Sequence, residues 1–325
     1  MKASFRLGQF DKSKPVRYRG RIAPTPSGLM HLGHAKTFWI AQQRAAEFGG
    51  DLLLRVDDLD VIRCRNPHFL DDIVTDLHWF GISWQLGPFQ DNRKPDISSE
   101  TFSPFAATAL SAPNNYYFQS QRTSLYLSAW RKLLDMGAIY ASKLSRKDVE
   151  RALNAPHPED DSEPVFPPHL RPPTEQRLTS IDSPVGFHWR FQVPDSRVVQ
   201  FIDRRMGLQS FTAGKDFGDF VVFRGDGICA YELAVVLDDA DMGVTEVVRG
   251  ADLLLSTARQ LLLYECLGLS PPAFYHCPLV RDADGRRLAK RDFSKSLQSY
   301  RQDGADPAEI RRRLLFKDGE PYSES

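Results

Sequence analysis

Cysteine is scarce in this chain of 325 residues. There are four, Cys64, Cys229, Cys266 and Cys277, and no two form a C-x-x-C pair. That argues against a zinc knuckle and a disulfide framework, and makes a reducing cytoplasm the simplest home. Net charge is also lacking, with 42 basic against 42 acidic side chains, so no global field favours nucleic acid. Any such contact falls to local basic stretches at 12–21, 286–295 and 311–313, each of which reads first as a solvated face. No run of 18 apolar residues is present, so no membrane span is expected. The opening MKASFRLGQFDKSKP lacks the apolar core of a secretory signal. No GxxxxGK[ST] occurs, which excludes a P-loop, and no internal repeat is visible.

What is present alternates between strand and helix patterns. RYRGRIA reads as a short strand. Apolar residues from 32 to 48 fall near helical spacing, and Gly49-Gly50 supplies a stop. DLLLRV then reads as a buried parallel strand, completing a βαβ unit over 17–56. Phe69, Leu70, Ile73, Val74, Leu77 and Phe80 predict a second helix, ended by Gly81. Residues 85–115 read as a long loop or insertion, and 122–136 as a helix. Ser145 and Asp148 resemble a capping box, and 154–175 is a proline-rich linker. GFHWRFQV and RVVQFIDRRMG alternate like antiparallel strands. The stretch 219–250 reads as a strand, an Asp-Gly turn and further buried segments, after which Gly250 leads into a helix to about Leu267. The order is α/β, then mixed β, then α/β, as in a nucleotide-binding fold interrupted by an insertion. The expected divisions are a tail over 1–16, a first catalytic half over 17–112, an inserted domain over 113–222, a second half over 223–275, and a loop with a C-terminal helical segment over 276–325.

The chemistry concentrates in RIAPTPSGLMHLGHAK, residues 21–36. A helix N-terminus carries unpaired N–H groups and partial positive charge, which suits phosphate. Gly28 and Gly33 admit close approach of a ligand to the backbone. His31 and His34, at i and i+3, share a face and can both donate to a phosphate. A capping turn with incidental histidines accounts for the same residues.

A strand, P-x-P-x-G and H-L-G-H at a helix start resemble the HIGH signature of class I aminoacyl-tRNA synthetases, glutamyl branch. GGDLLLRVDDLD is similar to that branch's R-I-E-D-x-D segment, and the likeness continues through YELAVVLDDADMGVTEVVRGADLL into GRRLAK. The resemblance implies an α/β fold: a class I Rossmann-type parallel sheet, an inserted α+β acceptor-like domain and a short C-terminal helical segment. It also implies ATP, arriving with Mg²⁺, as a substrate. Pro24, Ser27, Gly28, His31, Gly33 and His34 would hold the nucleotide, with Lys290 of RLAK as the phosphate-contacting lysine in preference to Lys295 of FSKS. Arg287 and Ala289 depart from the family's lysine and serine there. Catalysis would rest on His31, His34 and Lys290.

For the amino acid, the resemblance implies Arg21, Ala23, Thr25, Asp57, Tyr231 and Arg249. Two arginines suit two carboxylates. Asp57, where the family usually has glutamate, would meet the ammonium, and capping of the chain after a strand is its plainer reading. Relatives often bind zinc through C-x-C and Y-x-x-x-C. Here Ser142, Leu144, Phe166 and Leu170 occupy those positions, so zinc is not expected; apolar packing by Phe166 and Leu170 would take over its cross-link. His157 and His169 read as loop histidines. After Lys290 only about 35 residues follow, whereas a separate anticodon-binding domain needs on the order of 100. That resembles the truncated members of the branch, which activate glutamate without tRNA and attach it to queuosine in the anticodon of tRNA(Asp). A cytoplasmic monomer is expected. A silent tRNA-binding paralogue and another HIGH-type adenylyl- or nucleotidyltransferase stay open.

Overall fold

A computed structural model describes residues 17–88, 115–145, 148–149, 164–278 and 296–316. The expected βαβ unit opens it. Strand β1 (Arg19–Ile22) runs parallel to β2 (Asp51–Leu54), with Arg19 opposite Asp51 and Ile22 opposite Leu54. Helix α1 (Leu32–Glu47) crosses between them. It presents small residues to the sheet (Ala35, Ala41 and Ala45 are buried), so helix and strands approach closely. The chain turns back at Gly49 with φ of 59°, and a side chain at Gly50 would collide with the Tyr18 carbonyl oxygen. Helix α2 (His68–Trp79) closes this core with Ile73 and Leu77, beside Phe80 and Trp84.

The middle of the chain forms a three-stranded antiparallel sheet, β3 (Ile139–Ser142), β4 (His188–Phe191) and β7 (Phe220–Phe223), in the order β3-β4-β7. Helix α3 (Thr123–Asp135) covers it, and Trp130 meets Trp189 edge-on with ring centroids 5.2 Å apart. The capping box forms: the Ser145 hydroxyl and backbone N–H both donate to Asp148 Oδ2.

Two elements differ from the sequence reading. The run 231–241, read only as buried, is helix α4 (Tyr231–Asp241), and Ala273–Cys277 is an unforeseen strand, β9. Continuous apolar runs hide their period, so helix and strand are indistinguishable there. Strand β8 (Glu246–Gly250) pairs along its whole length with β9, in parallel, and Thr245 N–H donates to the Arg19 carbonyl, which sets β8 beside β1. A 3₁₀ turn, Ala251–Leu253, leads into α5 (Leu254–Leu267), ended by Gly268 with φ of 70°.

The second surprise is the hairpin of β5 (Val198–Asp203) and β6 (Gly207–Thr212). It falls inside the stretch expected as the insertion, yet β5 joins β9 in parallel at Asp203–Phe274. Alternation identifies a hairpin but not the sheet it joins. Helices α6 (Leu297–Gln302) and α7 (Pro307–Phe316) form the C-terminal helical segment. Helix α6 docks on α2 through Gln298–Asp72 and Arg301–Asp76, and the Leu297 N–H donates to the Met30 carbonyl. Among the described residues no helix is long and apolar enough to cross a membrane.

Candidate active site

The C-terminal ends of β1 and β8 carry Arg21 and Arg249, both almost fully buried. Arg21 is tied to the neighbouring strand, its Nη1 donating to the Val248 carbonyl at 3.0 Å. Its Nε has no hydrogen-bond partner and stands 3.5 Å from Asp239 Oδ1.

Arg249 is surrounded differently. Its Nε donates to His276 Nε2 at 3.2 Å, and its Nη2 to Thr257 Oγ1 at 2.6 Å and Gln260 Oε1 at 2.8 Å. Its Nη1 reaches the Tyr231 hydroxyl at 3.4 Å. Every one of these partners is a neutral acceptor, and no carboxylate of the described residues lies within 4.0 Å. A buried cation without a directly paired anion is costly unless something completes it.

Asp57 sits one strand away, its backbone N–H donating to the Pro24 carbonyl. Its carboxylate accepts from Arg55 Nε at 2.6 Å and Nη2 at 3.3 Å, while Arg55 Nη1 reaches Asp239 at 2.6 Å. Burial pushes the Asp57 carboxyl up to about 6, against the opposing pull of Arg55. Tyr231, the first residue of α4, lies in the combined field of Arg249, Arg21, Glu232 and Asp57, and burial pushes its hydroxyl up. The four most distinctive residues expected for the amino acid therefore converge on one place. Ala23 is half-buried and Thr25 exposed in the loop above it.

At the start of α1, the His31 and His34 rings stack with centroids 3.8 Å apart. His31 is the N-cap, its Nδ1 accepting from the Gly33 N–H at 3.1 Å. A side chain on Gly33 would press on that ring, so glycine there frees His31 to fold over the helix end. Gly28 faces open space, and Ser27 beside it is half-buried, its N–H turned back to the Thr25 carbonyl. Pro24 is buried. Lys290, Lys295, Arg287, Ala289 and His157 lie outside the described residues.

The four positions expected to lack zinc ligands also meet. Phe166 is buried with Tyr140 and Val149, and Leu144 and Leu170 pack against them. Ser142 Oγ accepts from the Leu144 N–H. The segment is pinned further where Arg171 and the Tyr140 hydroxyl both bond Asp219. Among the described residues no group of three or more His, Cys, Asp or Glu could hold a metal.

Sequence reasoning missed the supporting residues: Arg55, Asp203, Glu232, Asp238, Asp239, Thr257, Gln260 and His276. The signal was available in part. Thr257 and Gln260 are polar residues three apart in the apolar helix STARQLLLY, and Asp238-Asp239 interrupt a buried run.

The family described as tRNA synthetases class I (E and Q), catalytic domain, matches residues 17–320, and the chain belongs to it. It is a ligase of the class I aminoacyl-tRNA synthetase type. Among similar proteins, the glutamyl-Q tRNA(Asp) synthetase of Symbiobacterium thermophilum is 40% identical over 302 residues, covering 92% of this chain and 86% of that protein. That of Nitratidesulfovibrio vulgaris is 39% identical over 305 residues, covering 93% and 86%. The glutamate–tRNA ligase of Nostoc punctiforme is 33% identical over 290 residues, 88% of this chain but 54% of the ligase. A solved glutamate tRNA ligase from Elizabethkingia meningosepticum, in complex with its amino acid, shares the fold with a TM-score of 0.68 at 24% identity, over 90% of this chain and 59% of that one. The chain thus spans little more than half the length of these two glutamate–tRNA ligases.

Proposed function

We propose that this ligase activates glutamate with ATP in the absence of tRNA and then transfers the glutamyl group to queuosine in the anticodon of tRNA(Asp). The observation that carries the amino-acid half is Arg249: a buried guanidinium held by neutral acceptors, with its charge left for an incoming carboxylate. Arg21 supplies the second cation and Asp57 the anion for the ammonium, so a dicarboxylic amino acid fits the charge pattern. The acceptor half rests on the similarity to the glutamyl-Q tRNA(Asp) synthetases along most of their length.

In the first step the glutamate α-carboxylate attacks the α-phosphorus of ATP, the bond to the β-phosphate oxygen breaks, and pyrophosphate leaves. No protein nucleophile takes part. The chain contributes orientation and charge stabilisation: Arg21, Arg249 and Asp57 fix the amino acid, with Ala23, Thr25 and Tyr231 shaping its pocket. Pro24, Ser27, Gly28 and Gly33 shape the nucleotide loop. His31, His34 and the start of α1 face the phosphates, and Lys290 serves the leaving side. Mg²⁺ arrives with ATP as part of the substrate, and zinc has no part in this reading. In the second step a hydroxyl of the queuosine ring attacks the mixed anhydride and AMP leaves. A monomeric, cytoplasmic enzyme belongs to the same proposal.

Glutamate-dependent exchange of pyrophosphate into ATP, measured without tRNA, tests the first step. Signal with glutamate supports it; no signal with any amino acid refutes it. Labelled glutamate offered to tRNA(Asp) with and without queuosine tests the second. Label confined to the anticodon fragment of modified tRNA is expected, and label at the 3′ end overturns it.

A further inference from the structure

The surroundings of Arg249 are built in two layers. Arginine is a donor only, so the His276 Nε2 that meets Arg249 Nε is an acceptor and carries no proton. The other ring nitrogen, Nδ1, stands 2.7 Å from Asp203 Oδ2, an acceptor in turn, so Nδ1 carries the proton. The tautomer is thereby fixed by two neighbours that demand the same answer. Asp203 is itself fixed, its oxygens accepting from the N–H groups of Arg205, Met206 and His276. His276 and Asp203 are fully buried. Burial, outweighing the Asp203 hydrogen bond, holds the imidazole below its ordinary range and so neutral.

The opposite side repeats the plan. Gln260 Nε2 donates to Glu232 Oε2, which turns its Oε1 toward Arg249 Nη2. In both cases a carboxylate orients a neutral residue, and only the neutral residue touches the guanidinium. Nε and Nη2 are therefore satisfied at 2.6–3.2 Å, whereas Nη1 has only the long contact to Tyr231, itself 40% exposed. The open edge of the fork is the one that faces Tyr231.

We propose that His276 is a positioning residue: held by Asp203 in the Nδ1–H form, it offers a bare Nε2 to Arg249 Nε and, with Gln260 held by Glu232, aims the guanidinium at the amino-acid carboxylate without cancelling its charge. The role rests on Arg249 as the glutamate clamp, but the tautomer does not. A carboxylate in place of His276 or Gln260 would hold Arg249 as firmly and would compete with the substrate.

Kinetics and spectroscopy of the full chain test this together. His276→Phe removes the acceptor and should raise KM for glutamate about 10- to 100-fold, the range for a lost hydrogen bond to a charged group, with KM for ATP and kcat changed far less. His276→Gln keeps an acceptor at similar reach and should lose less than His276→Phe. Thr257→Val, a milder change, should move the same constant in the same direction. An unchanged KM for glutamate in His276→Phe and Thr257→Val, beside an active wild type, overturns the proposal and leaves the glutamate reading standing. Imidazole ¹⁵N shifts, with the His276 signal identified by its loss in His276→Gln, should show Nδ1 protonated and Nε2 bare at neutral pH. A protonated Nε2 overturns the proposal whatever the substrate proves to be.

Discussion

The carboxyl of Asp57 should make glutamate binding pH-dependent over an unusual range. Held near 6 by burial, it is about 90% ionised at pH 7 and about 10% ionised at pH 5. If the anion meets the substrate ammonium, KM for glutamate should rise about 10-fold between those pH values, while the substrate's own side-chain carboxyl, near 4.3, stays mostly ionised. The histidines at the start of α1 act on the phosphates, so they should move kcat and leave this constant alone. Stability runs the other way. The folded carboxyl lies above its ordinary 3.8, so the folded state binds the proton more tightly than the unfolded chain. Its contribution is fully present below about 4 and is lost as pH rises through 6, up to about 3 kcal/mol for a shift of two units. The assays are pyrophosphate exchange from pH 5 to 8 at saturating ATP, and denaturant unfolding over the same range. In Asp57→Asn the KM profile should be flat. The unfolding free energy of wild type minus variant should increase as pH falls from 7 to 4. A wild-type KM that stays level to pH 5, or a variant with the wild-type profile, refutes the reasoning.

The phosphate-facing residues give sharper losses. His34→Ala should lower the exchange rate about 10²–10³-fold, as for removal of one stabilising donor, with KM for glutamate little changed. Lys290→Ala should cost a similar factor and Lys295→Ala little; the reverse order in the same exchange assay would exchange their roles. Phe166→Ala should cost about 3–5 kcal/mol in denaturant unfolding, since the ring is buried in the small cluster that joins β3 to the 164–171 segment. Elemental analysis of the purified protein should find no stoichiometric zinc, and a chelator should leave the unfolding midpoint where it was.

The opening βαβ unit was legible because its signals agree: a helical period in 32–48, glycines where the chain must turn, and a β-rich apolar run after them. Arg21, Asp57, Tyr231 and Arg249 were found through motif resemblance, and the structure brings them together from β1, the segment after β2, α4 and β8. What the sequence concealed was of two kinds. Helix α4 is buried around its whole circumference from Glu232 to Asp239, so it shows no exposed face to set its period, and strand β9 is only five residues long, too short for its alternation to stand out. The holders of Arg249 are ordinary polar residues whose meaning depends on who faces them: Thr257 and Gln260 share a helix face, but His276 and Asp203 arrive from strands 73 residues apart. No spacing rule reaches that far.

The pairing of β5 with β9 bears on how the molecule comes apart. A chain is often imagined as a core enzyme with a detachable insert, and 113–222 invites that view. Excising it would strip β9 of one flanking strand and remove the carboxylate beneath His276 in the same cut. The buried cluster on α3, β4 and β7 also continues without a break into α4 and α5. The nominal insert and its host therefore share both a sheet and an apolar interior, and they should melt in a single cooperative transition, with no surviving half that could still hold an amino acid.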